Sequence, residues 1–250
     1  MNIGVYQGAA SLAALERWQG IISENLAATS VPGFRKTEAT FASVLGGQIR
    51  GNGAQAAATD QSVLPSAVTR LNMQAGQIRT TGAEFDFAIE GPGFFQIQRP
   101  TGDPGYTRDG EFHLNAERTL VNKLGQPVLG DGGPITLRPE GGRISINADG
   151  AVVQGDQIVG RIALVDFADP GALRRIGDGL LGAVAGSAPA VPVERPRVVN
   201  GALETSNVVG LQEMVNLISV SRAYEASQRI IQTHDENAGR AIQSLGNPLS

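Results

Sequence analysis

The feature that most constrains this chain is a helical period at each end with a different period between them. From Val208 to about Leu245, the residues Met214, Ile218, Ser221, Tyr224, Gln228, Ile231, Ala238, Ile242 and Leu245 fall close to a three-four spacing. That is the seam of a coiled coil. Thr205, Ser206 and Asn207 offer N-cap oxygens ahead of it. The first thirty residues carry a second stripe: Val5, Ala9, Leu12, Leu15, Ile22 and Leu26, with Trp18 filling the gap. Pro32-Gly33 is expected to stop that helix, because proline cannot continue the hydrogen-bond ladder and disfavours helix at Val31. At about 25 cal/mol per Å² of apolar area, such faces are costly to leave in water. Each end must therefore pack on the other, on copies, or on related subunits. The small and polar seam positions suit packing among many neighbouring helices.

Between the helices the punctuation changes. Residues 46–62 are small and polar and read as an extended linker or a segment that orders on assembly, with Ala56 to Ala58 able to form a short helical turn. From about 76 to 198 the period is two. Phe85, Phe87 and Ile89 alternate with Asp86, Ala88 and Glu90, and Gly91-Pro92-Gly93 then breaks the strand. Asp109-Gly110 and Asp149-Gly150 each lie between short apolar runs, as primed hairpin turns do. Glycine is in excess, 33 of 250 residues, with no collagen-like period, which fits many turns. Residues 186–200 carry Pro189, Pro192 and Pro196, the look of a stiff return strand or linker. The expected fold class is α+β: terminal helices in a coiled-coil-like bundle and a central all-β domain, barrel- or sandwich-like. Its expected divisions are 1–31 (helix), 32–75 (extended linker or assembly segment), 76–198 (β domain) and 199–250 (long helix).

Bulk properties remove several functions. A net charge of −4 and 5% aromatic residues give no electrostatic or stacking case for nucleic acid. Without cysteine there is no thiolate nucleophile, cysteine-ligated metal or disulfide. No apolar run is long enough for a transmembrane helix. Glu16, Arg17 and Glu24 interrupt the N-terminal segment, which does not read as a signal peptide. Gly91-Pro92-Gly93-Phe94-Phe95 lacks the third glycine or Lys-Ser/Thr of a phosphate loop and reads as a tight turn. Asp86 and Glu90 share a strand face and could be imagined as a glycosidase pair, but solvated strand residues describe them better. His113 and His234 lie in different predicted domains and are expected to be exposed. Arg222, Glu225 and Arg229 form a surface ion ladder or set helix register between subunits; the second reading is preferred.

Asn25-Leu26-Ala27 followed by Pro32-Gly33-Phe34-Arg35-Lys36 resembles the N-terminal signature of the bacterial flagellar rod and hook axial proteins, although Ala28-Thr29-Ser30-Val31 departs from its usual turn. Gly201-Ala202-Leu203-Glu204-Thr205-Ser206-Asn207-Val208, Glu213 to Ile218 and Arg222-Ala223-Tyr224-Glu225 resemble the family's C-terminal elements. Gly91 to Phe95 and Tyr106-Thr107-Arg108-Asp109-Gly110 look like its central ones. The resemblance implies a structural rod subunit of the flagellar basal body, with no catalysis, cofactor or metal. Its implied partners are copies of itself, other axial proteins and the flagellar type III export apparatus, which would pass it unfolded to the periplasm without a cleaved signal. The short length excludes the larger hook subunit. Val128 to Ile135 and Asp235 to Ala241 look more like the proximal rod, whereas Arg222 to Glu225 and Tyr106 to Gly110 look as much like the distal rod. The implied assembly interface is Leu12, Leu15, Ile22, Asn25, Leu26, Pro32, Gly33, Phe34, Asn207, Met214, Val215, Ile218, Arg222, Tyr224, Ile231 and Ile242. A periplasmic glycan hydrolase and a secreted coiled-coil binding module stay open as lower-ranked readings.

Overall fold

A computed structural model describes residues 3–48, 61–139, 142, 144–184, 186 and 188–246. The chain divides into two compact units, one made of Met1–Ala27, Thr37–Arg70 and Val209–Ser250, the other of Ala28–Lys36 and Leu71–Val208. The class is α+β, two long helices and many antiparallel strands.

The first unit holds α1 (Ile3–Ala27), α2 (Gly210–Gly246), β1 (Thr37–Gln48) and β2 (Gln61–Leu71). α1 ends earlier than the proline signal suggested. Past Ala27 the chain turns, with the Val31 amide donating to the Ala28 carbonyl at 3.1 Å. The turn finishes at Gly33, whose φ of +66° is one that L side chains rarely adopt. The segment read as an extended linker is extended but not free, since β1 and β2 pair in a two-stranded sheet. Backbone pairing needs no apolar alternation, so a small-residue composition concealed it. The reading of residues 49–60, including the turn at Ala56 to Ala58, lies outside the described residues. α2 begins at Gly210, where the Glu213 amide donates to the Val209 carbonyl at 3.1 Å.

Every strand ladder among the described residues of the second unit is antiparallel. Its strands are β3 (Ile78–Thr80), β4 (Phe87–Ile89), β5 (Phe94–Gln98), β6 (Pro104–Thr107), β7 (His113–Leu114), β8 (Leu120–Val121), β9 (Leu129–Gly130) and β10 (Gly133–Pro134). There follow β11 (Ile144–Ile146), β12 (Ala151–Gln154), β13 (Gln157–Arg161), β14 (Leu164–Asp166), β15 (Leu173–Gly177), β16 (Leu180–Ala183), β17 (Val191–Pro192), β18 (Val198–Asn200) and β19 (Ala202–Glu204). The largest sheet has the order β15-β16-β6-β5-β14-β17. β17, within the proline-rich stretch, is an edge strand, where a missing N–H breaks no ladder. β18 and β19 return to pair with β4 and β3, so the β unit extends beyond residue 198.

Neighbouring residues of this sheet enter two different cores. Phe95, Ile97, Leu164 and Leu180 join one; Phe94, Val165, Tyr106 and Leu181 join the other. Both faces are covered, so the polar-out alternation expected of a half-buried strand is absent. In β4 even Ala88 is buried, and so is Asp86 just before it; the Asp86 carboxylate accepts from the Thr81 hydroxyl at 2.6 Å. The reading of Asp86 as a solvated strand residue is corrected by that burial. Glu90 is exposed, 3.5 Å from Arg197.

Of the two hairpin signals, one holds. Asp149-Gly150 joins β11 to β12, with Gly150 at φ +79°. Asp109-Gly110 does not join a hairpin: β6 pairs with β5 and β16, whereas β7 pairs with β8. Here the Asp109 side chain accepts from the Glu111 amide. Gly110 is required for a close approach, since a Cβ there would sit 1.7 Å from the Phe87 carbonyl oxygen.

Candidate assembly surface and a buried charge cluster

α2 has a covered stripe and an outward one. Glu213, Leu217, Val220, Tyr224, Ser227 and Ile231, alternately four and three apart, are buried or half-buried, and Val220 is only 1% exposed. This stripe meets α1, where a Cβ on Gly8 would come within 2.8 Å of Ile231. Gln7, Gly8 and Ser11 line a cavity of about 270 Å³ with Ser227, Ile230, Ile231 and His234. On α1, Ala14, Ile21, Ile22 and Asn25 are buried. The second stripe points outward: Leu211, Met214, Val215 and Ile218 are 75%, 50%, 51% and 54% exposed. Their spacing of three, one and three places them on one side of two helical turns.

The expected interface residues therefore separate. Met214, Val215, Ile218 and Arg222 are exposed, while Tyr224 and Ile231 lie on the half-buried side. A single three-four count from Met214 drifts around a helix of 3.6 residues per turn, so it joined two faces as one seam. Leu12, Leu15 and Leu26 are half-buried and Ile22 fully buried. The surroundings of Val5, Ala238, Ile242 and Leu245 lie outside the described residues. Arg229 sits 3.8 Å from Glu225 within its own helix, an exposed pair of small energetic weight. His113 and His234 are both exposed.

Two asparagines hold main chain in place of a β partner. The Asn25 amide nitrogen donates to the Thr37 carbonyl and its oxygen accepts from the Thr37 amide, each at 2.9 Å. The Asn207 oxygen accepts from the Lys36 amide at 2.7 Å, while its nitrogen donates to the Asn72 and Gln74 carbonyls. Asn207 is thus engaged across three segments. The Ser206 hydroxyl accepts from the Val208 amide at 3.2 Å, a local turn just ahead of α2.

Motifs far apart in sequence converge inside the β unit. Glu204, 1% exposed, pairs with Arg35 at 2.6 Å and Arg108 at 3.3 Å. Gly76 donates its amide to the same carboxylate at 2.8 Å. Arg108 also donates to the Ile89 and Gly91 carbonyls and lies over the Phe94 ring. Burial pulls the Arg108 guanidinium below its ordinary value, and Glu204 works against that shift. Two cations share one carboxylate, and Arg35 Nε and Nη1 and Arg108 Nε have no hydrogen-bond partner among the described residues. Gly33 packs where a Cβ would be 2.2 Å from the Arg108 carbonyl carbon. Phe34 stacks under Arg175, whose guanidinium carbon is 4.1 Å from the ring centroid. Pro32, Gly33 and Phe34 thus line a groove of about 410 Å³ with Arg35, Arg108 and Lys123. Spacing could not signal this cluster, because Arg35, Arg108 and Glu204 belong to separate motifs far apart in the chain.

The family model described as flagellar hook protein FlgE/F/G D1 domain matches residues 88–154. The model described as flagellar basal body rod FlgEFG protein C-terminal matches residues 199–244. The flagellar basal-body rod protein FlgF of Caulobacter vibrioides is 35% identical, over 98% of this chain and 99% of its own length. FlgF of Salmonella typhimurium is 31% identical over 98% and 99%. FlgG of Buchnera aphidicola subsp. Acyrthosiphon pisum is 33% identical over 86% and 89%.

Proposed function

This chain belongs to the family of flagellar hook and basal-body rod proteins, and from that premise we propose how it works. It is a structural subunit of the basal-body rod, FlgF-like, with FlgG proteins as near relatives. On our reading, copies stack helically with other axial proteins into a hollow drive shaft, and the terminal helices line its export channel as a coiled-coil-like pair. Head-to-tail contacts that do not close into a ring build such a shaft. The observation that carries this reading is the outward stripe of Leu211, Met214, Val215 and Ile218, apolar surface left exposed among the described residues.

On the same reading the subunit reaches the periplasm through the flagellar type III apparatus. The assigned position is the proximal rod, supported by FlgF relatives matched end to end. The distal rod is the second reading, supported by the FlgG relatives. A tagged copy located by electron microscopy in intact basal bodies tests both. Density at the proximal end of the rod is expected. Density only at the distal end would reverse the assignment, and absence from the rod would end it.

A further inference from the structure

Two glycines inside α1 differ in what requires them. At Gly8 a Cβ would press on Ile231 of the same chain, whereas at Gly20 it would meet nothing within 4 Å. Glycine weakens a helix interior relative to alanine, and no contact among the described residues accounts for it at position 20. Gly20 is exposed, with exposed Ala13 and Ala27 one heptad to either side and exposed Glu16 and Glu24 one turn to either side. The outward stripe of α2 has the complementary relief: Leu211 and Ile218 one heptad apart, then exposed Arg222 one turn beyond Ile218.

We propose that the outward face of α2, centred on Ile218, packs on α1 of a second copy at Gly20. With Ile218 over Gly20, Leu211 falls on Ala27 or Ala13 and Arg222 falls beside Glu16 or Glu24, whichever way the helices run. Bulky residues then fill positions without side chains, and opposite charges meet at the rim. The contact repeats the mode already present at Gly8 and Ile231, a bulky side chain over a glycine, on a different side of each helix. Because it joins two different patches, it repeats from copy to copy without closing.

The proposal rests on the rod reading for the stacking of copies, and disulfide trapping separates the two. The chain has no cysteine, so Gly20→Cys with Ile218→Cys supplies the only thiols, and a disulfide forms only where Cα atoms approach within about 7 Å. Oxidised in flagellated cells, the double variant is expected to give a ladder of multimers, and each single variant none. Glu16→Cys or Glu24→Cys with Arg222→Cys, joined by a short thiol cross-linker, repeats the test at exposed positions if the first pair does not assemble. No ladder from either pair, with the variant protein present in purified basal bodies, overturns the contact and leaves the rod reading standing. Adducts that contain only other proteins also overturn it. Absence of the wild-type chain from basal bodies counts against the rod reading instead.

Discussion

At the scale of single residues, one carboxylate serves two guanidinium groups in the β unit, and it does so out of water. A buried pair of this kind gives little net stability when complete, but removing one member leaves charge without compensation. Glu204→Gln is expected to cost about 3–5 kcal/mol, read as a lowered urea midpoint with an unchanged slope. A loss below about 1 kcal/mol would mean that the arginines find other acceptors. Alkaline pH acts on neighbouring groups. Burial and the charge of Asp103 raise the Tyr106 hydroxyl above its ordinary 10.0. Burial pulls the Lys123 ammonium down, but its bond to Glu111 and the charge of Asp109 outweigh this and hold it above 10.5. Both groups keep their protons longer in the folded state. The stability they contribute is complete below their ordinary values and declines as pH rises through the folded ones. Thermal melts across the alkaline range should show this decline, and Lys123→Met should make it shallower.

At the scale of elements, glycines of one residue type serve opposite ends. Gly150 supplies a positive φ to the β11–β12 turn, with only ordinary contacts around it. Gly150→Ala is expected to cost about 1 kcal/mol of backbone strain. Gly110→Ala should cost several times more, because its Cβ would overlap backbone at Phe87. Equal losses in chemical denaturation would restore the turn reading at Gly110. The helices obey the same distinction. Gly20→Ala should raise the melting point of the isolated chain, by up to about 1 kcal/mol in stability, whereas Ile231→Asp should loosen α2 from α1 and lower helical circular dichroism.

At the scale of the whole molecule, Ile218→Asp is expected to leave the isolated chain folded and to block its incorporation into rods, with motility lost in soft agar. Normal swimming by that variant would remove the outward stripe from the assembly. Much of this was legible beforehand. Helical period, turn residues and the absence of cysteine set the class, the two long helices and the Asp149-Gly150 hairpin, because each depends on neighbours along the chain. The motifs carrying Asn25 and Asn207 were legible as a resemblance, but their contacts were not. Side-chain bonds to Thr37, Lys36 and Asn72 leave no periodic trace. Sequence thus determined that two apolar helical stripes must be covered. Tertiary structure decided which half of α2 is covered by α1 and which is left facing out, because a helix offers several faces and only packing against a partner selects among them.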